Sequence, residues 1–93
     1  MNLQAMIYVK WTRTELATLK MPALYTEVDE DGWVQREFVV GHDGTVAEQC
    51  VPSLQQPGWF GLARLAAPML KSNVTKAEFE SLWRSGVRRF KES

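Results

Sequence analysis

The chain carries one cysteine, Cys50, one histidine, His42, and no surplus of either charge, with 11 basic residues against 11 acidic ones in 93. A lone cysteine excludes an internal disulfide. Nothing beside Cys50 in sequence would activate a thiolate, so it reads as a small half-buried residue in a reducing compartment. One histidine and one cysteine fall short of the three or four ligands that zinc sites usually use. Balanced charge argues against a generic nucleic-acid binder, for which a basic excess is expected. No apolar run approaches the length of about 20 residues that spans a bilayer. No basic segment followed by an apolar one opens the sequence, so a signal peptide is not expected either. These absences point to a cytoplasmic protein without membrane contact.

Chemistry is equally thin. There is no glycine-rich phosphate loop, nucleophile elbow or paired catalytic motif. His42 lies in a turn beside Asp43, where a histidine is an ordinary solvated residue. The run Asp29-Glu30-Asp31-Gly32 superficially suggests calcium but lacks the spacing and closing glutamate of an EF-hand loop. No catalytic residue, metal set or cofactor is therefore expected, and the chain reads as non-enzymatic.

What is present is organised around residues 23–40, where two strand-forming runs flank the acidic turn Glu30-Asp31-Gly32. Glycine supplies positive φ there at low steric cost, a strong local hairpin signal. Two registers compete. A loop of Asp31-Gly32 pairs Val28 with Gln35 and Leu24 with Val39 and mixes apolar and polar residues on both faces. A loop of Glu30 to Gly32 pairs Val28 with Val34 and Leu24 with Phe38. It gathers Tyr25, Glu27, Asp29, Trp33, Gln35 and Glu37 on one water-facing side. Because a one-residue slip exchanges the faces, burial favours the second register. Thr26 and Arg36 then fall on the core side and require partners.

Around this hairpin, residues 5–13 form a first strand by alternation, with a pairing position that sequence leaves open. Residues 14–20 read as a loop that ends in Met21-Pro22. Gly41-His42-Asp43-Gly44 repeats the turn chemistry and leads to a strand over 45–51. Residues 52–61 form a loop holding Trp59-Phe60, which either covers one end of the core or offers an anchor to a partner. Pro68 suits the first turn of a short helix over 68–72. The clearest helix begins after Thr75, whose spacing to Glu78 is that of a capping box. Phe79, Leu82, Trp83, Gly86, Val87 and Phe90 recur as one apolar stripe, with Glu80, Arg84, Arg88, Arg89 and Lys91 mostly off it. Gly86 in mid-helix suggests close approach to the sheet. The predicted fold is a single α+β domain over 1–93, a four-stranded antiparallel sheet with the C-terminal helix packed on one face.

Several segments resemble a family of small bacterial domains. They are Ile7-Tyr8-Val9-Lys10-Trp11, then Leu24-Tyr25-Thr26-Glu27-Val28-Asp29 with Gly32-Trp33 and Arg36, then Asp43-Gly44. The last is Thr75-Lys76-Ala77-Glu78-Phe79-Glu80-Ser81-Leu82-Trp83. The sequence departs from the family pattern at Glu37-Phe38 and in the apolar stretch 56–66. Family members are encoded beside secreted polymorphic toxins. The resemblance implies an immunity protein that binds and blocks a cognate toxin, with no catalytic residue to carry over. A nuclease toxin would present a basic cleft, to which the acids of 27–48 are complementary. The contact surface expected on this reading comprises Tyr25, Glu27, Asp29, Glu30, Asp31, Trp33 and Glu37, with Trp59 as an anchor. The alternative is a small nucleic-acid-associated protein using the basic end of its last helix, residues Arg84 to Lys91.

Overall fold

The computed structural model describes residues 6–12, 14, 21–55, 58, 65 and 71–92, with side chains as far as residue 86. Four strands, β1 (Ile7–Thr12), β2 (Ala23–Val28), β3 (Val34–Val40) and β4 (Val46–Cys50), precede the helix α1 (Lys76–Glu92). The strands form one antiparallel sheet in chain order, β1-β2-β3-β4, so β1 pairs with β2 and the whole sheet is a meander. The predicted α+β architecture is the one observed. The predicted helix over 68–72 is not supported where it can be followed, since Lys71 and Ser72 are not helical. Of the loop expected over 14–20 only Thr14 is described, as an exposed turn residue, and residues 15–20 and the Trp59-Phe60 pair lie outside the described residues.

The hairpin joins both registers that the sequence allowed. Next to the turn, Val28 pairs with Val34, the register of the three-residue loop, and Gly32 takes φ of 95°. Beyond it, Glu27 pairs with Arg36, Tyr25 with Phe38 and Leu24 with Val39, the register of the two-residue loop. The shift falls between Glu27 and Val28, leaving Gln35 as the extra residue of a bulge. A bulge lets the turn keep its preferred geometry while every later pair shifts by one.

This corrects the face assignment. Tyr8, Ala23, Tyr25, Phe38 and Val46 form the core with Phe79 of α1 and with Val74, and Leu82 and Trp83 pack against it. Tyr25 is stacked on Phe38 with ring centroids 4.8 Å apart, and Phe38 lies 5.0 Å from Phe79. The opposite face carries Val9, Leu24, Val28, Val34 and Val39, and all of them are buried as well. Strand β2 is thus buried on both sides, which is why no water-facing side exists along it. Of the residues that cover this second face, Gly58 sits directly over Glu37 and Cys50, where its positive φ (78°) and missing side chain allow the approach.

Helix α1 starts as its sequence dictates. The Thr75 hydroxyl accepts from the Glu78 N–H at 3.1 Å, satisfying one of the unpaired donors of the first turn. Its apolar stripe lies on the sheet through Phe79 and Trp83, and Gly86 is buried against β4.

Candidate functional site

The eight residues expected to share one contact surface separate into three groups. Tyr25, Glu27 and Glu37 are buried, at 7%, 7% and 0% exposure, and offer nothing to a partner. Their displacement follows from the bulge, which rotates Tyr25 and Glu27 beneath α1 and Glu37 onto the opposite face. Trp59 lies outside the described residues. Asp29, Glu30, Asp31 and Trp33 remain together at the β2–β3 turn.

Asp29 builds that turn. One carboxylate oxygen accepts from the Asp31 and Trp33 N–H groups, each at 2.9 Å, and the other accepts from Gln35 Nε2 at 2.9 Å. The Gly32 N–H donates to the Asp29 carbonyl and the Asp29 N–H to the Trp33 carbonyl, both at 3.0 Å. The Gly32 carbonyl accepts from the Leu65 N–H at 2.7 Å, which ties the turn to Leu65. An aspartate bonded to backbone two residues on is a familiar way to fix a turn, and here it leaves Glu30 and Asp31 exposed. Trp33 is 44% exposed, and with Val51 and Leu54 it is one of the large exposed apolar side chains.

A second cluster lies between sheet and helix. Arg36 donates from Nε to one Glu27 oxygen at 2.8 Å and from Nη2 to the other at 2.7 Å. Its Nη1 reaches Glu80 of α1 at 3.2 Å, Nη2 makes a further bond to the same carboxylate, and the Tyr8 hydroxyl donates to Glu27 at 3.0 Å. The guanidinium lies 5.1 Å from the ring centres of both Phe79 and Trp83, a cation–π arrangement. Hydrogen bonds to Glu27 and then Glu80 raise the Arg36 pKa further. The bond from Arg36 holds the Glu80 carboxyl below its ordinary value, against the opposing effect of burial. Burial, followed by the bond to Glu27, pushes Tyr8 up to about 12. Every group in this cluster is engaged by another member, so its evident role is to join α1 to the sheet.

The signal for this cluster was present in the sequence. The two-residue register sets Glu27 opposite Arg36, a cross-strand pair of opposite charge. Glu80, which lies off the apolar stripe of the helix, is half-buried against Arg36. The Cys50 thiol is raised by burial and then by the charge of Glu37, which keeps it protonated and a poor nucleophile. Among the described residues, no helix is long and apolar enough to cross a membrane, and no group of three or more His, Cys, Asp or Glu is placed to hold a metal ion. Comparison with protein-family models, curated proteins and solved structures finds no match to this chain.

Proposed function

We propose that this chain is a non-catalytic binding domain that neutralises a cognate secreted bacterial toxin, a nuclease with a basic cleft, in the cytoplasm. The observation that carries this reading is the β2–β3 turn, where Trp33 stands 44% exposed beside exposed Glu30 and Asp31. Asp29 fixes the backbone beneath them. A turn ordered before contact spares the partner the entropy of ordering it. Tryptophan is enriched among residues whose truncation costs an interface most. Acidic residues around it favour approach of a basic surface and disfavour other partners. The segment resemblance is the ground for this class of partner, and the exposure of the turn is the ground for expecting contact there. Tyr25, Glu27 and Glu37 take no part in the contact, since they serve the core.

The test is to mix the protein with the product of the adjacent gene and measure mass by size-exclusion chromatography with light scattering. A stable 1:1 complex is expected. Trp33→Ala and the pair Glu30→Lys/Asp31→Lys should each weaken it by tenfold or more, with no binding to a random duplex. A complex indifferent to both changes would keep the activity but move the surface. Absence of a complex, with the neighbouring product harmless when expressed alone, would end the toxin reading. Duplex affinity that falls log-linearly with salt would favour nucleic acid instead.

A further inference from the structure

Among the described residues, Ser72 and Asn73, which precede α1, cover the outer edge of β1 at Tyr8 and Lys10. The Tyr8 N–H donates to the Ser72 hydroxyl at 3.0 Å, and the Tyr8 carbonyl accepts from the Asn73 N–H at 3.1 Å. The Lys10 N–H donates to Asn73 Oδ1 at 2.7 Å, and the Lys10 carbonyl accepts from Asn73 Nδ2 at 3.1 Å. The asparagine side chain, which pairs one donor with one acceptor, thus takes the place of a peptide group on a neighbouring strand. Four bonds that a fifth strand would make are made by two residues, and the segment turns away into α1 at Lys76 without continuing the ladder.

We propose that Ser72 and Asn73 form an edge guard that stops β1 from pairing with β1 of a second copy of this chain. An unpaired edge strand of this length is a template for association, and natural folds block such edges. The second copy is the occupant that fits, because β1 complements itself. An antiparallel pairing centred on Val9 sets Tyr8 opposite Lys10 of the other copy and Lys10 opposite its Tyr8. The same four backbone groups are then satisfied. It also sets Val9 beside Val9 and Ile7 beside Trp11, apolar against apolar on one face. The contact is two-fold symmetric and closes as a dimer with a continuous eight-stranded sheet.

The guard is tested by replacing it. The unmodified chain should run as a monomer of 10.6 kDa. Its Tyr8 and Lys10 amides should resist hydrogen exchange like those of a paired strand, and rapid exchange of both would overturn the proposal. The variant Ser72→Ala/Asn73→Ala should appear at twice the monomer mass over a concentration series in which the unmodified chain does not. Adding Lys10→Pro to that variant removes an outward N–H while leaving the pairing to β2 intact, since proline is tolerated in edge strands at such positions. It should restore the monomer. A folded double variant that stays monomeric refutes the guard, as does association that survives Lys10→Pro. If the double variant fails to fold by circular dichroism, Asn73→Asp decides. It keeps the acceptor for the Lys10 N–H, loses the donor to the Lys10 carbonyl and sets a negative charge against that oxygen. A partial shift to dimer is expected, and a folded monomer at every concentration would refute the proposal.

Discussion

Arg36 grips Glu27 with two nitrogens, at 2.8 and 2.7 Å, and gives the rest of its guanidinium to Glu80 of α1. One cation between two carboxylates, one on the neighbouring strand and one on the helix, connects layers that also pack through Phe38, Phe79 and Trp83. The planar fork of arginine suits this geometry, and the rings of Phe79 and Trp83 flank it. Removing the cation leaves Glu27, at 7% exposure, without its main partner. Losing one member of a buried pair typically costs about 3–5 kcal/mol. The Arg36 side chain is 21% exposed, which lowers the expectation for Arg36→Ala to about 2 kcal/mol. Arg36→Lys should recover less than half of this, because an ammonium cannot serve both carboxylates in the same plane. Urea denaturation would measure both, and an Arg36→Ala midpoint equal to that of the unmodified chain would remove the cluster as a stabilising feature.

The acid limb of stability should report Glu80. Its folded pKa lies below the ordinary value of 4.5, so the folded state binds fewer protons there than the unfolded state. Its contribution is therefore fully present above that ordinary value and is lost as pH falls through the folded one. Glu80→Gln should lower the thermal midpoint at neutral pH and flatten its decline below pH 4.5. An unchanged acid slope would show that Glu80 exerts no net pull on folding.

Tyr8 should act at the other end of the scale. Its hydroxyl is raised from 10.0 to about 12 by burial and by the bond to Glu27. A raised pKa in the fold gives stability that is present below the unfolded value and is lost as pH climbs from 10.0 towards about 12. Tyr8→Phe should cost on the order of 1 kcal/mol at neutral pH through the lost hydrogen bond. The variant should also decline less steeply than the unmodified chain in that alkaline window. Parallel curves for the two proteins would contradict the assignment.

The second face of the sheet gives a further expectation at Gly58. A Cβ placed there would lie 1.5 Å from a Glu37 carboxylate oxygen, and the residue already holds positive φ. Gly58→Ala should therefore combine backbone strain with a clash against a residue of 0% exposure, for a loss of about 3 kcal/mol or more. Thermal unfolding would show it as one of the most damaging glycine substitutions in the chain. A loss below that of an exposed turn glycine such as Gly44 would mean that the covering segment yields easily.

The strands, their antiparallel order in the hairpin and the capped helix were legible because each rests on a local rule: alternation, a turn glycine, a threonine before the first turn. The exposure of the residues expected at a contact surface was only partly legible. Asp29, Glu30, Asp31 and Trp33 lie at the turn, where chain reversal leaves Glu30, Asp31 and Trp33 exposed. Tyr25, Glu27 and Glu37 were misplaced because a bulge at Gln35 changes the register, and the gain from a bulge comes from burial on both faces, which no single hairpin reveals. The edge cover by Ser72 and Asn73 was invisible for a different reason, since it links positions 63 and 64 residues apart in sequence.

Gly86 ties sequence and packing together most directly. In an isolated helix, replacing this glycine with alanine would gain about 1 kcal/mol. Here a Cβ would lie 2.8 Å from Val46 Cγ1 and from Gln49 Cδ and Nε2. Valine has little freedom to yield. The Gln49 tip is held by its bond to the Trp83 carbonyl at 2.7 Å, so moving it also breaks a hydrogen bond. Overpacking of this kind costs about 1–3 kcal/mol, enough to outweigh the gain in helix propensity, and Gly86→Ala should destabilise by about 1 kcal/mol. Gln49→Ala should itself be destabilising, yet in its presence Gly86→Ala should cost less. The coupling between the two, read from a double-mutant cycle, should be at least about 0.5 kcal/mol. Strictly additive effects would mean that Val46 alone sets the limit, and a stabilising Gly86→Ala would mean that α1 rides farther from β4 than these distances require.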